Sequence, residues 1–158
     1  MKTYTLLILA IIFIAASCNK DPKPNGDFVR CKVDGQSYKP DNCTNCTVCR
    51  IIRDTTFTFG INRGIENVGL GLNDPIGISV KAYILNDNFK NQGTYDNTIF
   101  GNDEYKTDPI HIGSLHITIL DKVKKKIEGT FSFIGFSPAQ NKTVNITDGE
   151  FRLTYTTN

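Results

Sequence analysis

The sequence predicts an all-β fold, a single antiparallel β-sandwich or barrel of roughly eight to ten short strands. Three observations predict it. Apolar residues recur at every second position in run after run, which is the period of a half-buried strand. Phe, Tyr, Ile, Val and Thr are plentiful while Trp is absent, and those side chains suit a pleated surface. No segment after the first eighteen residues carries an apolar stripe of helical period and useful length. Sandwich and barrel share this pattern, so alternation does not choose between them.

The elements follow in order. Val29, Cys31 and Val33 share one face, and Asp34-Gly35 supplies a hairpin turn. Phe57, Phe59 and Ile61 alternate with Thr56, Thr58 and Gly60. Val68, Leu70 and Leu72 alternate with glycines. Ile76, Ile78, Val80, Ala82 and Ile84 form the longest one-sided series. Residues 86–108 are more polar and predict a long loop around a short strand near Gly93 to Tyr95. Leu115, Ile117 and Ile119 alternate with His116 and Thr118; Ile127, Phe131 and Phe133 with Glu128, Thr130 and Ser132; Phe151, Leu153 and Tyr155 with Arg152 and Thr154. Asn-Asp-Pro, Asn-Gln-Gly, Asp-Lys-Val-Lys and Thr-Asp-Gly lie between the runs and read as turns.

The amino terminus predicts an address. Lys2 precedes an apolar run from Leu6 to Ala16, long enough for a signal peptide and too short to span a bilayer. Ala15, Ala16 and Ser17 then lead to Cys18. This order resembles the lipobox of bacterial lipoproteins. The resemblance implies a cleaved signal peptide over residues 1–17 and lipid on Cys18. Several acyl chains hold a protein stably on a membrane without a spanning helix. Residues 18–27 are then a lipidated cysteine and a polar, Pro- and Gly-containing tether, and 28–158 the all-β domain. The charged residues after Cys18 resemble the outward-routing stretch of Bacteroidota lipoproteins, which implies the outer membrane, on its periplasmic face or at the cell surface. The formal net charge is only +2, so no nucleic-acid partner is implied.

A second resemblance rests on the C-terminal third. Gly113-Ser114-Leu115, Ile117-Thr118, Gly129 to Phe133, and Ile146-Thr147-Asp148-Gly149-Glu150-Phe151 resemble a family of small Bacteroidota lipoproteins of unknown function. The family's pattern is G-x-L-x-I-T, then G-T-F-S-F, then I-T-x-G-x-F. Val33 to Gly35 and Gly93 to Tyr95 also fit. The resemblance implies an all-β envelope domain and lends no catalytic residue.

Apart from Cys18 the cysteines are Cys31, Cys43, Cys46 and Cys49. Outside the cytoplasm an even count predicts two disulfides, whose pairing spacing cannot order. Cys31 sits on the apolar face of a strand, and the other three lie on a segment without regular pattern. The alternative is a tetrahedral zinc site of the same four residues, although structural zinc sites usually use two separated C-x-x-C knuckles. An iron–sulfur cluster has the local spacing but no assembly route in that compartment. Haem attachment fails because Thr47 and Arg50, not histidines, follow the C-x-x-C pairs. A catalytic thiol pair normally sits at a helix start, and no helix is expected here. No cofactor is therefore expected.

Other chemistry-bearing residues are weaker. His111 and His116 fall on opposite faces of any regular strand and read as surface residues. Asn86, Asp87, Asn88, Asn102, Asp103, Glu104 and Asp108 are oxygen-rich but match no EF-hand loop. Lys122, Lys124, Lys125 and Lys126 cluster at one turn and read first as edge-blocking lysines, second as contacts to lipid phosphates. Asp121, Glu128, Asp148 and Glu150 read as turn carboxylates, with no cleft in view for a glycosidase pair. Tyr83, Tyr95 and Tyr105 are expected to be exposed. No nucleophile elbow, zinc-protease helix or phosphate loop is present in the sequence. The expected function is therefore a non-catalytic binding or interaction module tethered to the envelope, with a protein or glycan partner and the 86–108 loop as recognition surface. The alternative is a small envelope hydrolase or thiol enzyme. A third possibility is an apolar ligand inside a barrel.

Overall fold

The computed structural model describes residues 25–42, 46–86, 90–97 and 104–157. The strands are β1 (Phe28–Val33), β2 (Gln36–Tyr38), β3 (Thr47–Ile52), β4 (Thr56–Arg63), β5 (Glu66–Asn73) and β6 (Ala82–Leu85), followed by β7 (Gln92–Asp96), β8 (Tyr105–Lys106), β9 (Gly113–Asp121), β10 (Lys126–Ser137), β11 (Lys142–Thr154) and β12 (Thr156–Thr157). All twelve belong to one sheet with the path β12-β3-β4-β5-β7-β8-β10-β11-β1-β2. β9 pairs with β10 and carries β6 as a side branch. The all-β prediction therefore holds. Every pair is antiparallel except β12 with β3.

Local chemistry explains the turns. β1 and β2 close at Val33↔Gln36 around Asp34 and Gly35, both at positive φ (47° and 80°). That is the primed two-residue turn whose twist matches a hairpin. In β9–β10 the Asp121 carboxylate accepts bonds from the N–H groups of Val123 and Lys124. Asp121 thus supplies the capped turn that the sequence Asp-Lys-Val-Lys predicts.

The sheet curls so that β4 faces β10 and β11. Phe59 of β4 lies 5.4 Å from Phe151 of β11 and 5.8 Å from Phe131 of β10, ring centre to ring centre. These rings join Ile61, Val68, Leu115, Ile117, Ile127 and Ile146 in one core. Two polar latches hold the curl. Tyr38 of β2 donates to the carbonyls of Ile61 and Glu66, and the Arg63 guanidinium lies 4.4 Å from the centre of its ring. At the other end the Asp27 carboxylate accepts from Thr154 N and from Lys126 Nζ at 2.6 Å. Asp27, read from the sequence as tether, is therefore fastened to the domain.

Four expectations are corrected. The Ile76–Ile84 series is not one strand face: Asp74 turns the chain by accepting from Ile76 N, Gly77 takes φ 116°, and β6 buries Tyr83 and Leu85 instead. Ile119 is exposed because the β9–β10 register shifts between Glu128 and Gly129. The Cys46–Cys49 segment, expected to be irregular, runs into β3, where Cys49 and Ile51 face the core. Thr147-Asp148-Gly149 is not a turn but a bulge inside β11.

Candidate functional site

The bulge builds a concavity on the solvent face. Arg30 pairs with Glu150 and Lys32 with Thr147, so the single residue Cys31 of β1 faces both Asp148 and Gly149 of β11. On the other side Phe131 pairs with Gly149 and Phe133 with Ile146, so β11 carries the extra residue against β10 as well. Asp148 adopts φ 52°, a left-handed conformation that aspartate tolerates better than most residues. Gly149 is required by space: a Cβ there would come within 2.6 Å of the Phe131 ring. Bulges of this kind bend a strand and re-aim side chains, and they are over-represented near functional sites.

The result is a groove of about 660 Å³ running across β2, β1, β11, β10 and β9. Its hydroxyls are Ser37 of β2, Thr147 of β11, Thr130 and Ser132 of β10, and Ser114 of β9. Its charges are two ion pairs and one lysine. Arg30 Nη2 lies 3.0 Å from Glu150 Oε2, and Lys32 Nζ lies 2.9 Å from Asp148 Oδ2. Lys39 lines the same groove. Phe131, Gly149 and Cys31 also line the groove. A surface of hydroxyls, paired charges and some apolar lining can donate and accept many hydrogen bonds to an extended, hydroxyl-rich ligand. Asp148 and Glu150 thus stand at one groove rather than at separate turns. Each is paired with a cation.

The cysteines do not assemble as expected. Cys31 and Cys49 are free and buried, on β1 and β3, strands that do not pair. A disulfide needs Cα atoms within ~7 Å and converging Cβ vectors, which separate strands do not provide by themselves. The expected pair of disulfides is thus corrected for these two residues. Burial pushes each thiol up to about 12, so neither is a thiolate at neutral pH. Cys46, buried at the head of β3, is disulfide-bonded. Cys18 and Cys43 lie outside the described residues. Among the described residues no three His, Cys, Asp or Glu side chains stand together as a metal site.

The remaining candidates have local roles. His116 is exposed on the outer face of β9. His111 precedes β9, lies 2.9 Å from Asp108 through Nδ1, and stacks on Phe136 at 4.7 Å. Hydrogen bonds from the His111 backbone N–H, then from its ring and Ile110 N, lower the Asp108 carboxyl against the cost of burial. Glu104 pairs with Lys106 at 2.8 Å, and Asn86 closes its loop by donating to the Asn91 carbonyl. Asp87, Asn88, Asn102 and Asp103 lie outside the described residues, so the recognition loop proposed for 86–108 is seen only as β7, β8 and their flanks. Tyr83, Tyr95 and Tyr105 are buried, not exposed. Each occupies an inward strand position, and the hydroxyls of Tyr83 and Tyr95 bond to Ser79 and Glu66. The groove's Arg30, Lys32, Lys39 and serines escaped the sequence reading. All but Lys39, which follows β2, occupy outward strand positions, and that is their only signal.

Fold and groove together define the class, an all-β domain of one curled sheet with an open, hydroxyl-lined groove on its solvent face. The chain belongs to the family described as Domain of unknown function (DUF6252), whose model matches residues 25–153. No curated protein and no solved structure matches the chain.

Proposed function

We propose that this protein is a cell-envelope lipoprotein, held on the outer membrane by lipid on Cys18, whose β domain binds an envelope glycan or protein without chemical turnover. The observation that carries the binding role is the 660 Å³ groove built around the Asp148-Gly149 bulge. Its strand-borne hydroxyls and ion pairs are fixed in place by the sheet, which favours recognition by preformed geometry. The lipobox-like order ending at Cys18 supports the anchor. The buried, protonated thiols of Cys31 and Cys49 count against a thiol enzyme using either residue.

Two experiments test the reading. Lipid labelling should appear on the wild type and vanish with Cys18→Ser, which should also leave the membrane fraction. Soluble envelope polysaccharide should bind saturably and remain unchanged in length. Ser132→Trp, which fills the groove from an exposed position, should lower that affinity at least tenfold with folding intact. Shortening of the polysaccharide by the wild type would favour the hydrolase alternative.

A further inference from the structure

We propose that one end of the domain is a membrane-docking face that seats against anionic lipid headgroups. Three loops meet there. The β9–β10 turn touches the β3–β4 turn through Lys122 Nζ and Asp54 Oδ2 at 3.2 Å. The loop after β5 joins the same place, because Ile78 N donates to the Asp54 carbonyl and Asp74 N to the Thr55 carbonyl. These loops carry the two most exposed large apolar side chains among the described residues, Ile76 at 94% and Val123 at 93%. Val123 sits between Lys122 and Lys124 at the tip of a turn, with Lys125 beside it. An exposed apolar tip ringed by lysines combines insertion between headgroups with attraction to their phosphates.

Charge sets the sign of the partner. Asp54, Asp121 and Asp27 answer Lys122, Lys124 and Lys126. Among the described residues no carboxylate pairs with Lys125 or Arg53, so the described side chains of this end are net positive. Lysines near an anionic leaflet contribute about 1 kcal/mol each. The chain's own path fixes which surface is reached. Asp27, the last residue before β1, is bonded to Lys126 and Thr154 at this same end. The described chain therefore enters β1 beside the lysine turn. Anchorage through Cys18, on which the orientation rests, would hold this end toward the bilayer. Six residues along β10 separate Lys126 from Ser132, which puts the groove roughly 20 Å from that end at ~3.3 Å per residue.

The absence of tryptophan makes a direct test available. Val123→Trp, Ile76→Trp and, at the opposite end, Ile110→Trp are introduced singly into the protein carrying Cys18→Ser. A hexahistidine tag at residue 18 captures each on vesicles of phosphatidylethanolamine and phosphatidylglycerol with nickel-chelating lipid. Docking predicts a blue shift and bromolipid quenching for the tryptophans at 123 and 76 and neither for 110. It also predicts that Lys124→Glu with Lys125→Glu removes the shift at 123, and that phosphatidylcholine in place of phosphatidylglycerol weakens it. No shift at 123 and 76 while tethered, or equal shifts at all three positions, overturns the docking face. Capture here does not use acylation, so failure of the lipoprotein reading would be seen separately, as missing lipid on Cys18 in cells.

Discussion

Gly149 shows at the residue scale how closely the groove depends on one missing methyl. Adding Cβ drives it into Phe131, so Gly149→Ala should cost about 1–3 kcal/mol in urea unfolding by overpacking. A cost below a few tenths would mean that the bulge yields easily. Cys31 and Cys49 give a second prediction. Their raised thiols should resist iodoacetamide at pH 8 in the native protein and react fully in urea. Rapid native labelling of either would restore the thiol-enzyme alternative. Sequence reading placed Cys31 on the inner face of β1 correctly, because Val29 and Val33 flank it at period two. It misread Cys49, since one strand face of only Cys49 and Ile51 is too short to stand out beside a cysteine cluster. It misread the tyrosines because a ring with a hydroxyl suits either face until a buried acceptor is known.

At the scale of elements, β1, β4, β5, β10 and the end of β11 were legible because each alternates cleanly and ends in turn residues. β6 was not, because a glycine and Asp74's turn break a periodicity that exists only in the letters. The bulge in β11 is not legible, because an Asp-Gly bulge and an Asp-Gly turn have the same composition. The latch across β2, β4, β5 and β7 makes its own prediction. Tyr95 donates to Glu66 at 2.8 Å, and Arg63 bonds the other carboxylate oxygen at 2.8 Å. Tyr95→Phe should cost about 1–2 kcal/mol, and much less in a Glu66→Gln background. Equal costs in both backgrounds would show that the network is not coupled. Two loop carboxylates set an acid limit. The Lys81 ammonium, first, lowers Asp74, and the His111 N–H, first, lowers Asp108. A lowered carboxyl adds stability above its unfolded value, 3.8, and loses it as pH falls through the folded value. Urea midpoints should thus be level near neutrality and fall below about pH 4. Asp108→Asn should shallow that fall.

For the whole molecule, the curl of one sheet sets three surfaces apart: the phenylalanine core within, the groove on the outer face of β1, β11, β10 and β9, and the lysine-rich end beside Asp27. The core followed from alternation. The groove did not, because its residues lie far apart in sequence and meet only through strand order and one bulge. Its role as a binding surface is the central claim. The most direct measurement is an amide chemical-shift map of the isotope-labelled protein titrated with soluble envelope polysaccharide. The account predicts saturable shifts centred on Arg30, Lys32, Ser114, Thr130, Ser132 and Asp148, lost in Ser132→Trp. Saturable shifts confined to β7, β8 and the adjoining loop, with the groove amides unmoved, would contradict it and return recognition to the 86–108 segment.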